Sequence, residues 1–211
     1  QMTDTGGVDV LVTPQVPWLP VVVSRCPQLR WLHLLTAGSE LVFRTGLDRG
    51  PYWISKSAGV NAAAIAEFVI GALLYFEKRF HVFSQQQRQC LWRRLWLDEL
   101  SAKRLVIVGL GHVGREVARR ASAFGLQLLG VSRQGRPVSG FDHVFASRDI
   151  VQASDGAHYL VVAAPLTAET RGLIGPSVLA ALLKGAFVVD VSRGGVVQQA
   201  ALIEALESGH V

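Results

Sequence analysis

The chain has 211 residues, which is enough for one large domain or for one domain and part of another. Half of the residues are apolar and 18% are charged, a balance that favours an α/β protein with buried parallel strands. The formal net charge is +5, but the basic residues are scattered, so the charge predicts no nucleic-acid-binding surface and suits an anionic small molecule equally well.

No segment predicts a membrane span, a secretion signal or a metal site. The longest nearly apolar stretch, residues 60–76, contains Asn61 and Glu67 and favours a buried helix. The first four residues lack the basic and apolar regions of a signal peptide. Cys26 and Cys90 are isolated and share no metal-type spacing, so we predict reduced thiols and a cytoplasmic protein.

The first part of the chain predicts strands at 9–13 (buried), 30–35 and 52–56. The segment 16–26 between the first two is ambiguous between helix and strand, and 36–39 is a loop of small residues. A long helix, apolar on most sides, is predicted from 60 to about 83 and would pack between domains or subunits. The polar stretch 84–89 is its end or a linker.

From residue 103 onward, apolar strands alternate with helices. The predicted strands are 104–109, 127–132, 143–145, 159–164 and 186–191, and the predicted helices are 112–124, 148–153, 176–183 and 199–208. This alternation predicts a doubly wound parallel sheet of the Rossmann type.

A glycine motif, G-x-G-x-x-G, occupies the turn between the first of these strands and its helix. Gly109 permits the tight turn, Gly111 lets the backbone approach a pyrophosphate, and Gly114 lets the helix lie close to the strand. The amides near His112 and Val113 supply donors at the helix N-terminus. The strand before the motif and the amphipathic helix after it make a dinucleotide site the favoured interpretation over a glycine turn without a ligand.

The second strand ends at Ser132-Arg133, where an acidic side chain would bind the ribose 2′-hydroxyl of NAD. A hydroxyl beside a guanidinium suits the 2′-phosphate of NADP instead, with Arg136 as a possible second cation. We therefore favour NADP(H) over NAD(H); the alternative is that Arg133 stacks on the adenine or is solvated.

Four segments extend the pattern: NAAAIAE at 61–67, PLTAETRGLI at 165–174, VVDVSRGG at 188–195 and ALIEAL at 201–206. In this order they resemble the D-isomer-specific 2-hydroxyacid dehydrogenases, in particular the glyoxylate and hydroxypyruvate reductases, from about residue 27 to 211. The resemblance implies hydride transfer between NAD(P)(H) and a small 2-keto or 2-hydroxy acid.

The resemblance also implies the roles of individual residues. Arg193 would be catalytic, because its guanidinium would polarise the keto oxygen and bind the substrate carboxylate. Backbone amides around Ala37 and Gly38 would bind the other side of that carboxylate. Four further residues would line the nicotinamide side of the cofactor groove: Pro165, Thr170, Val191 and Ser192.

The domain organisation implied is a partial, flavodoxin-like substrate domain with the interdomain helix (1–83), followed by a dinucleotide-binding domain (84–211). The resemblance further implies a homodimer, and it suggests that the sequence is truncated at both ends. The family's proton-donating histidine and its glutamate partner would lie beyond residue 211. None of the six histidines present is expected to replace it: His33, His81, His112, His143, His158 and His210.

Two departures from the family pattern are Ala163, where a histidine or another polar residue is common, and Asp190, where asparagine is common. Asp190 could alter the charge around Arg193. Two alternatives to a 2-keto acid reductase stay open: a formate or phosphite dehydrogenase on the same fold, and a non-catalytic, dinucleotide-sensing corepressor, against which Ser132-Arg133 argues mildly.

Overall fold

The computed structural model describes residues 6–211. Residues 1–5, on which the expectation of no secretion signal partly rests, lie outside the described residues. The chain divides into two compact units, Gln1–Asn61 and Ala62–Val211. The helix predicted from residue 60 onward belongs to the second unit, because its buried residues pack in a core of that unit. The division into a substrate domain (1–83) and a dinucleotide-binding domain (84–211) remains a prediction.

The first unit is a three-stranded parallel sheet with short helices. Its elements are β1 (Val10–Thr13), α1 (Leu19–Ser24), β2 (Trp31–Leu34), α2 (Glu40–Thr45), a 3-10 turn (Leu47–Arg49) and β3 (Trp53–Lys56), and the strand order is β1-β2-β3. The ambiguous segment 16–26 therefore contains a helix, which begins with a proline in its first turn, where the missing N–H costs nothing. The helix α2 was not predicted.

Only one face of this sheet carries the unit's hydrophobic core. Leu32 and Leu34 on β2 are fully buried in it. The opposite face aligns Val10 with Trp31 and Trp53 across the three strands, and all three side chains are exposed. The expectation that 9–13 is a buried strand was therefore wrong: β1 is an edge strand of this sheet, and Val10 is 49% exposed.

The second unit is a five-stranded parallel sheet with helices on both faces. Its strands are β4 (Arg104–Val108), β5 (Gln127–Ser132), β6 (His143–Ala146), β7 (Tyr159–Val162) and β8 (Phe187–Asp190), in the order β6-β5-β4-β7-β8. Its helices are α3 (Ala62–Glu77), α4 (Phe80–Arg88), α5 (His112–Ala121), α6 (Ile150–Ser154), α7 (Pro176–Ala181) and α8 (Gln199–Glu207). This topology confirms the predicted doubly wound Rossmann-type sheet.

The central strand β4 is buried on both faces, as parallel sheets require. Leu105 and Ile107 point into a core formed with α3 and α5, while Val106 and Val108 point into a second core formed with α6, α7 and α8. The continuous apolar run in the sequence thus corresponds to a strand covered on both sides. The strand order changes direction at β4, so the connections after β4 and β7 diverge and leave a crevice at the carboxyl ends of the strands.

The predicted helix 60–83 is two helices, and the polar stretch 84–89 continues the second one and is not a linker. The break lies at Lys78 and Arg79, where Arg79 has φ 50°, a left-handed conformation that ends the α-helical hydrogen-bond ladder. Within residues 6–211 no helix combines the length and the hydrophobicity needed to cross a membrane, and α3 itself has 16 residues.

The end of α3 is fastened to the amino ends of two strands by a buried carboxylate. Glu77 accepts hydrogen bonds from the Lys103 ammonium, just ahead of β4, and from the hydroxyl of Tyr159, the first residue of β7. Burial, and then the hydrogen bond with Glu77, raise the pKa of Tyr159 well above its ordinary value. Because a buried charge is costly without partners, this cluster holds α3 against one end of the sheet.

At the other end of the sheet, where the strands have their carboxyl ends, the packing depends on the close approach of α5 to β4. A Cβ atom at Gly114 would lie 2.1 Å from the carbonyl oxygen of Gly109 and 3.2 Å from Cγ2 of Ile107. The first contact is with backbone, which no side-chain rotation can relieve. A Cβ at Gly111, by contrast, would have no neighbour within 4 Å.

We expect Gly114→Ala to destabilise the protein by about 2–3 kcal/mol, because α5 must move away from the strand and its core contacts must loosen. Gly111→Ala is the matched control, since it changes the same loop by the same methyl group and should cost less than about 1 kcal/mol, chiefly at the helix N-cap. Urea denaturation of both variants measures the difference. Equal losses would contradict the packing constraint at Gly114.

Candidate active site

The predicted cofactor residues of the second unit and the predicted catalytic residue, Arg193, gather at one edge of its sheet. They follow the carboxyl ends of four strands: Gly109 to Gly114 after β4, Arg133 after β5, the segment 163–172 after β7 and Arg193 after β8. In open α/β sheets, ligands bind at this edge, beside the point where the strand order changes direction. The tertiary structure thus brings together residues that lie up to about 80 positions apart in the sequence.

Gly109 is restricted to glycine by both conformation and space. Its φ is 95°, in the left-handed region, and its N–H donates to the carbonyl of Val131 on β5 at 2.9 Å. A Cβ atom here would lie 2.6 Å from both Cα and N of Ala164, in the segment after β7. The loop therefore turns tightly between the ends of β5 and β7.

Gly111 precedes α5 and has an extended backbone, with φ −76° and ψ −160°. The space beside its Cα is open, and Gly111 and His112 are both exposed, while Val113 is half-buried. The first amides of α5 therefore point from a helix N-terminus toward accessible space, where the helix dipole favours an anion. This arrangement fits the pyrophosphate of a dinucleotide.

Ser132 and Arg133 begin a tight turn at the end of β5. The hydroxyl of Ser132 accepts a hydrogen bond from the N–H of Gly135 at 3.2 Å, and Gly135 has φ 68°. The Arg133 side chain is exposed, and its Nε lies 3.0 Å from Oε2 of Glu169. Arg136, the possible second cation, is exposed on the same turn.

The segment after β7 is held in shape by two threonines. The N–H of Thr167 donates to Oγ1 of Thr170 at 2.8 Å, and the N–H of Thr170 donates to Oγ1 of Thr167 at 3.2 Å. The Thr170 hydroxyl also donates to the carbonyl of Pro165 at 2.5 Å. Further along, the N–H of Gly172 donates to the carbonyl of Gly195 at 2.7 Å, which ties this segment to the one that carries Arg193.

Arg193 lies on the turn that follows β8, and its side chain is exposed. Asp190, at the end of the strand, accepts hydrogen bonds from the N–H of Ser192 at 2.9 Å and from its hydroxyl at 2.6 Å. Arg193 donates from a terminal guanidinium nitrogen to the carbonyl of Ser192 at 2.8 Å. The carboxylate of Asp190 therefore shapes the turn that presents Arg193, a role that an asparagine oxygen would also serve. Val191 is half-buried beside it.

The predicted carboxylate-binding loop, 36–39, belongs to the first unit and is organised by Gln15. The side-chain amide of Gln15 donates to the carbonyl of Gly38 and to the Thr36 hydroxyl, and its oxygen accepts from the N–H of Leu41 at 2.9 Å. Ala37 is exposed and Gly38 is buried.

Two residues of these sites were missed by the sequence reasoning. Gln15 has no sequence signal, because its role depends on a loop more than twenty residues away. Glu169 lies within the segment 165–174, which carried the family resemblance, but nothing in its neighbours indicates that its side chain reaches Arg133.

The chain is similar to several known proteins. Residues 70–211 match the family described as D-isomer specific 2-hydroxyacid dehydrogenase, NAD binding domain. D-3-phosphoglycerate dehydrogenase of Bacillus subtilis is 38% identical over 118 residues, which cover 54% of this chain and 22% of that protein. Glyoxylate reductase of Thermococcus gammatolerans is 28% identical over 199 residues, which cover 90% of this chain and 60% of that protein.

Among solved structures, a D-isomer specific 2-hydroxyacid dehydrogenase from Xanthobacter autotrophicus Py2, in complex with NADPH and MES, superposes with a TM-score of 0.82. It is 29% identical, and the match covers 99% of this chain and 66% of that one. This chain thus spans between about a fifth and two thirds of the length of these three proteins. The family match over more than half of the chain confirms the resemblance seen in the sequence, and the chain belongs to the D-isomer specific 2-hydroxyacid dehydrogenase family.

Proposed function

We propose that the full-length protein transfers a hydride between NAD(P)(H) and a small 2-keto or 2-hydroxy acid of the D series, with glyoxylate or hydroxypyruvate as the keto acid. The observation that carries this proposal is the placement of the glycine loop and Arg193 at the same edge of one sheet. They follow β4 and β8, which are two strands apart, so roughly 10 Å separates the strands that carry them. An extended dinucleotide can bridge that separation.

The residues at the glycine loop fit such a cofactor. The close approaches at Gly109 and Gly114 shape the loop, while the open space at Gly111 leaves room for a pyrophosphate against the first amides of α5. Pro165, Thr170, Val191 and Ser192 would then line the nicotinamide end. When bound, the nicotinamide supplies or accepts the hydride.

Arg193 would bind the substrate carboxylate and stabilise the negative charge that grows on the keto oxygen during reduction. A guanidinium suits this task because it is permanently charged and offers two parallel donors. The backbone amides of Ala37 and Gly38 are proposed to bind the same carboxylate. We assign no proton donor among the histidines of the described residues. His158, for example, precedes β7 and lies at the amino ends of the strands, away from the glycine loop.

We also propose NADP(H) as the preferred cofactor, on the strength of Arg133 and the NADPH bound by the Xanthobacter relative.

A cytoplasmic location is proposed as well, because the thiols of Cys26 and Cys90 are free and reducing compartments keep thiols in that state.

The cofactor proposal predicts tighter binding of NADPH than of NADH. Each charge-assisted hydrogen bond to the 2′-phosphate should contribute on the order of 1.5 kcal/mol, the lower part of the usual range, because Arg133 is exposed. Arg133→Ala should therefore remove most of the preference, whereas Arg119→Ala, on the outer part of α5, should preserve it. Fluorescence titration with both dinucleotides is the measurement. Equal affinities in the wild type would refute the preference.

The catalytic proposal predicts that Arg193→Ala lowers kcat/KM for glyoxylate by about 10²–10³ or more, with unchanged affinity for the dinucleotide. Arg193→Lys should recover only part of the activity, because it keeps the charge but not the fork geometry. Steady-state kinetics on the full-length protein test this, with Arg119→Ala as the control. Near wild-type turnover by Arg193→Ala would reject the assignment. A wild-type protein that binds dinucleotide but reduces none of glyoxylate, hydroxypyruvate or 3-phosphohydroxypyruvate would favour the two alternatives. Oxidation of formate or phosphite would then indicate the dehydrogenase alternative, and no turnover of either would indicate the sensor.

We further propose a homodimer formed through α3 and the segment 91–97, which is neither helix nor strand. Apolar side chains are exposed there: Phe68, Tyr75, Phe76, Leu91, Trp92, Trp96 and Leu97. Burying such a surface between two copies would remove apolar area from water, and a two-fold dimer is the commonest arrangement.

Sedimentation at micromolar concentration should therefore show a dimer. Trp92→Asp should shift the species toward the monomer, because Trp92 is 98% exposed within the chain and a buried aspartate would be unpaired. Ile203→Asp on α8 places the same charge on an exposed apolar position outside the proposed interface and should leave the dimer intact. A monomeric wild type would disprove the proposal.

A further inference from the structure

Arg133 has an acidic partner where a ligand phosphate would approach it. Its Nε lies 3.0 Å from Oε2 of Glu169, and the two side chains are 73% and 64% exposed, respectively. A guanidinium engaged in this way is partly neutralised and partly screened from a second anion. The ion pair therefore weakens the attraction that Arg133 can offer to a 2′-phosphate.

The strand order places this ion pair across the cofactor crevice. Arg133 follows β5 and Glu169 follows β7, and β4 lies between these two strands. A contact between them must pass over the carboxyl end of β4, where Gly109 begins the glycine loop. The ion pair thus links the two sides of the crevice in which the dinucleotide is proposed to bind.

Both partners are carried by turns with internal hydrogen bonds. The Ser132 hydroxyl accepts from the N–H of Gly135, and the side chains of Thr167 and Thr170 each accept from the other's N–H. The backbones of Arg133 and Glu169 are therefore held on either side of the crevice, so that little ordering of the chain is needed to form the pair.

We propose that Glu169 is a specificity-determining residue, whose carboxylate competes with the ribose 2′-phosphate for Arg133 and so reduces the preference for NADP(H). This inference rests on the proposed dinucleotide-binding function. An exposed ion pair of this kind contributes up to about 1 kcal/mol, which corresponds to a loss of about two- to fivefold in the affinity of a competing anion. NAD(H) has no 2′-phosphate and does not need to displace the carboxylate.

The test is a double-mutant cycle read by binding. Glu169→Gln removes the charge with little change in shape, and Glu207→Gln on α8 makes the same change in net charge away from the crevice. Affinities of the full-length protein for NADPH and NADH, and for the fragments 2′,5′-ADP and 5′-AMP, are measured by titration calorimetry at one fixed salt concentration. The same four ligands are titrated into Arg133→Ala and into Arg133→Ala/Glu169→Gln.

Glu169→Gln should bind NADPH and 2′,5′-ADP about two- to fivefold more tightly than the wild type, with less than a twofold change for NADH and 5′-AMP. Glu207→Gln should leave all four affinities unchanged. In the Arg133→Ala background, Glu169→Gln should have no further effect on the ratio between the phosphorylated and unphosphorylated ligands, because the competition acts through Arg133.

Three results would overturn the inference, and they have different meanings. An unchanged ratio in Glu169→Gln would show that Glu169 does not limit the 2′-phosphate, with the proposed dinucleotide binding intact. An equal gain in affinity for the phosphorylated ligands in the Arg133→Ala background would show that Glu169 repels the phosphate directly and does not compete for Arg133. A wild type that binds neither dinucleotide would overturn the proposed function together with the inference.

Discussion

The close approach of α5 to β4 is the constraint on which the candidate site depends. The carbonyl of Gly109 lies where a side chain at Gly114 would have to be, so the first turn of α5 can rest against the end of the strand only without that side chain. This approach sets the position of the amides that precede and begin α5. Gly109 in turn donates to the carbonyl of Val131 on β5 and lies close to Ala164 after β7. The glycine loop is therefore in contact with the ends of the strands that precede Arg133 and Glu169.

The two edges of the five-stranded sheet serve different purposes. At the amino ends of the strands, the buried carboxylate of Glu77 joins α3 to Lys103 and to Tyr159, and these groups satisfy one another. At the carboxyl ends, the charged groups of Arg133 and Arg193 are exposed. A charge that is paired and buried contributes to structure, whereas an exposed guanidinium can still exchange its partner for a ligand. The charges at the amino ends are thus paired within the protein, while those at the carboxyl ends remain exposed where a ligand is proposed to bind.

Charge in the crevice depends more on local pairs than on the total of +5. Arg133 is partly neutralised by Glu169, and the carboxylate of Asp190 accepts hydrogen bonds from Ser192 on the turn that presents Arg193. A basic sequence therefore does not by itself create a strong phosphate site. The affinity for a 2′-phosphate follows from which acidic groups surround the arginine, and at what distance.

The sequence by itself determined the parallel sheet, the glycine loop and the family, because each depends on residues that are close together in the chain: apolar runs, the spacing of glycines and short motifs. Apolar runs such as the one in β4 indicate strands covered on both faces, and the spacing of Gly109, Gly111 and Gly114 reflects the requirements of one turn. The break at Arg79, the exposed face that contains Val10 and the pairing of Arg133 with Glu169 could not be predicted in this way. The break is a left-handed conformation at a residue that is not glycine, so no glycine marks it in the sequence. The exposure of Val10 and the pairing of Arg133 with Glu169 depend on which residues far apart in the chain pack together. A one-dimensional pattern records which residues suit an element, but only the packed structure determines which side chains meet across it.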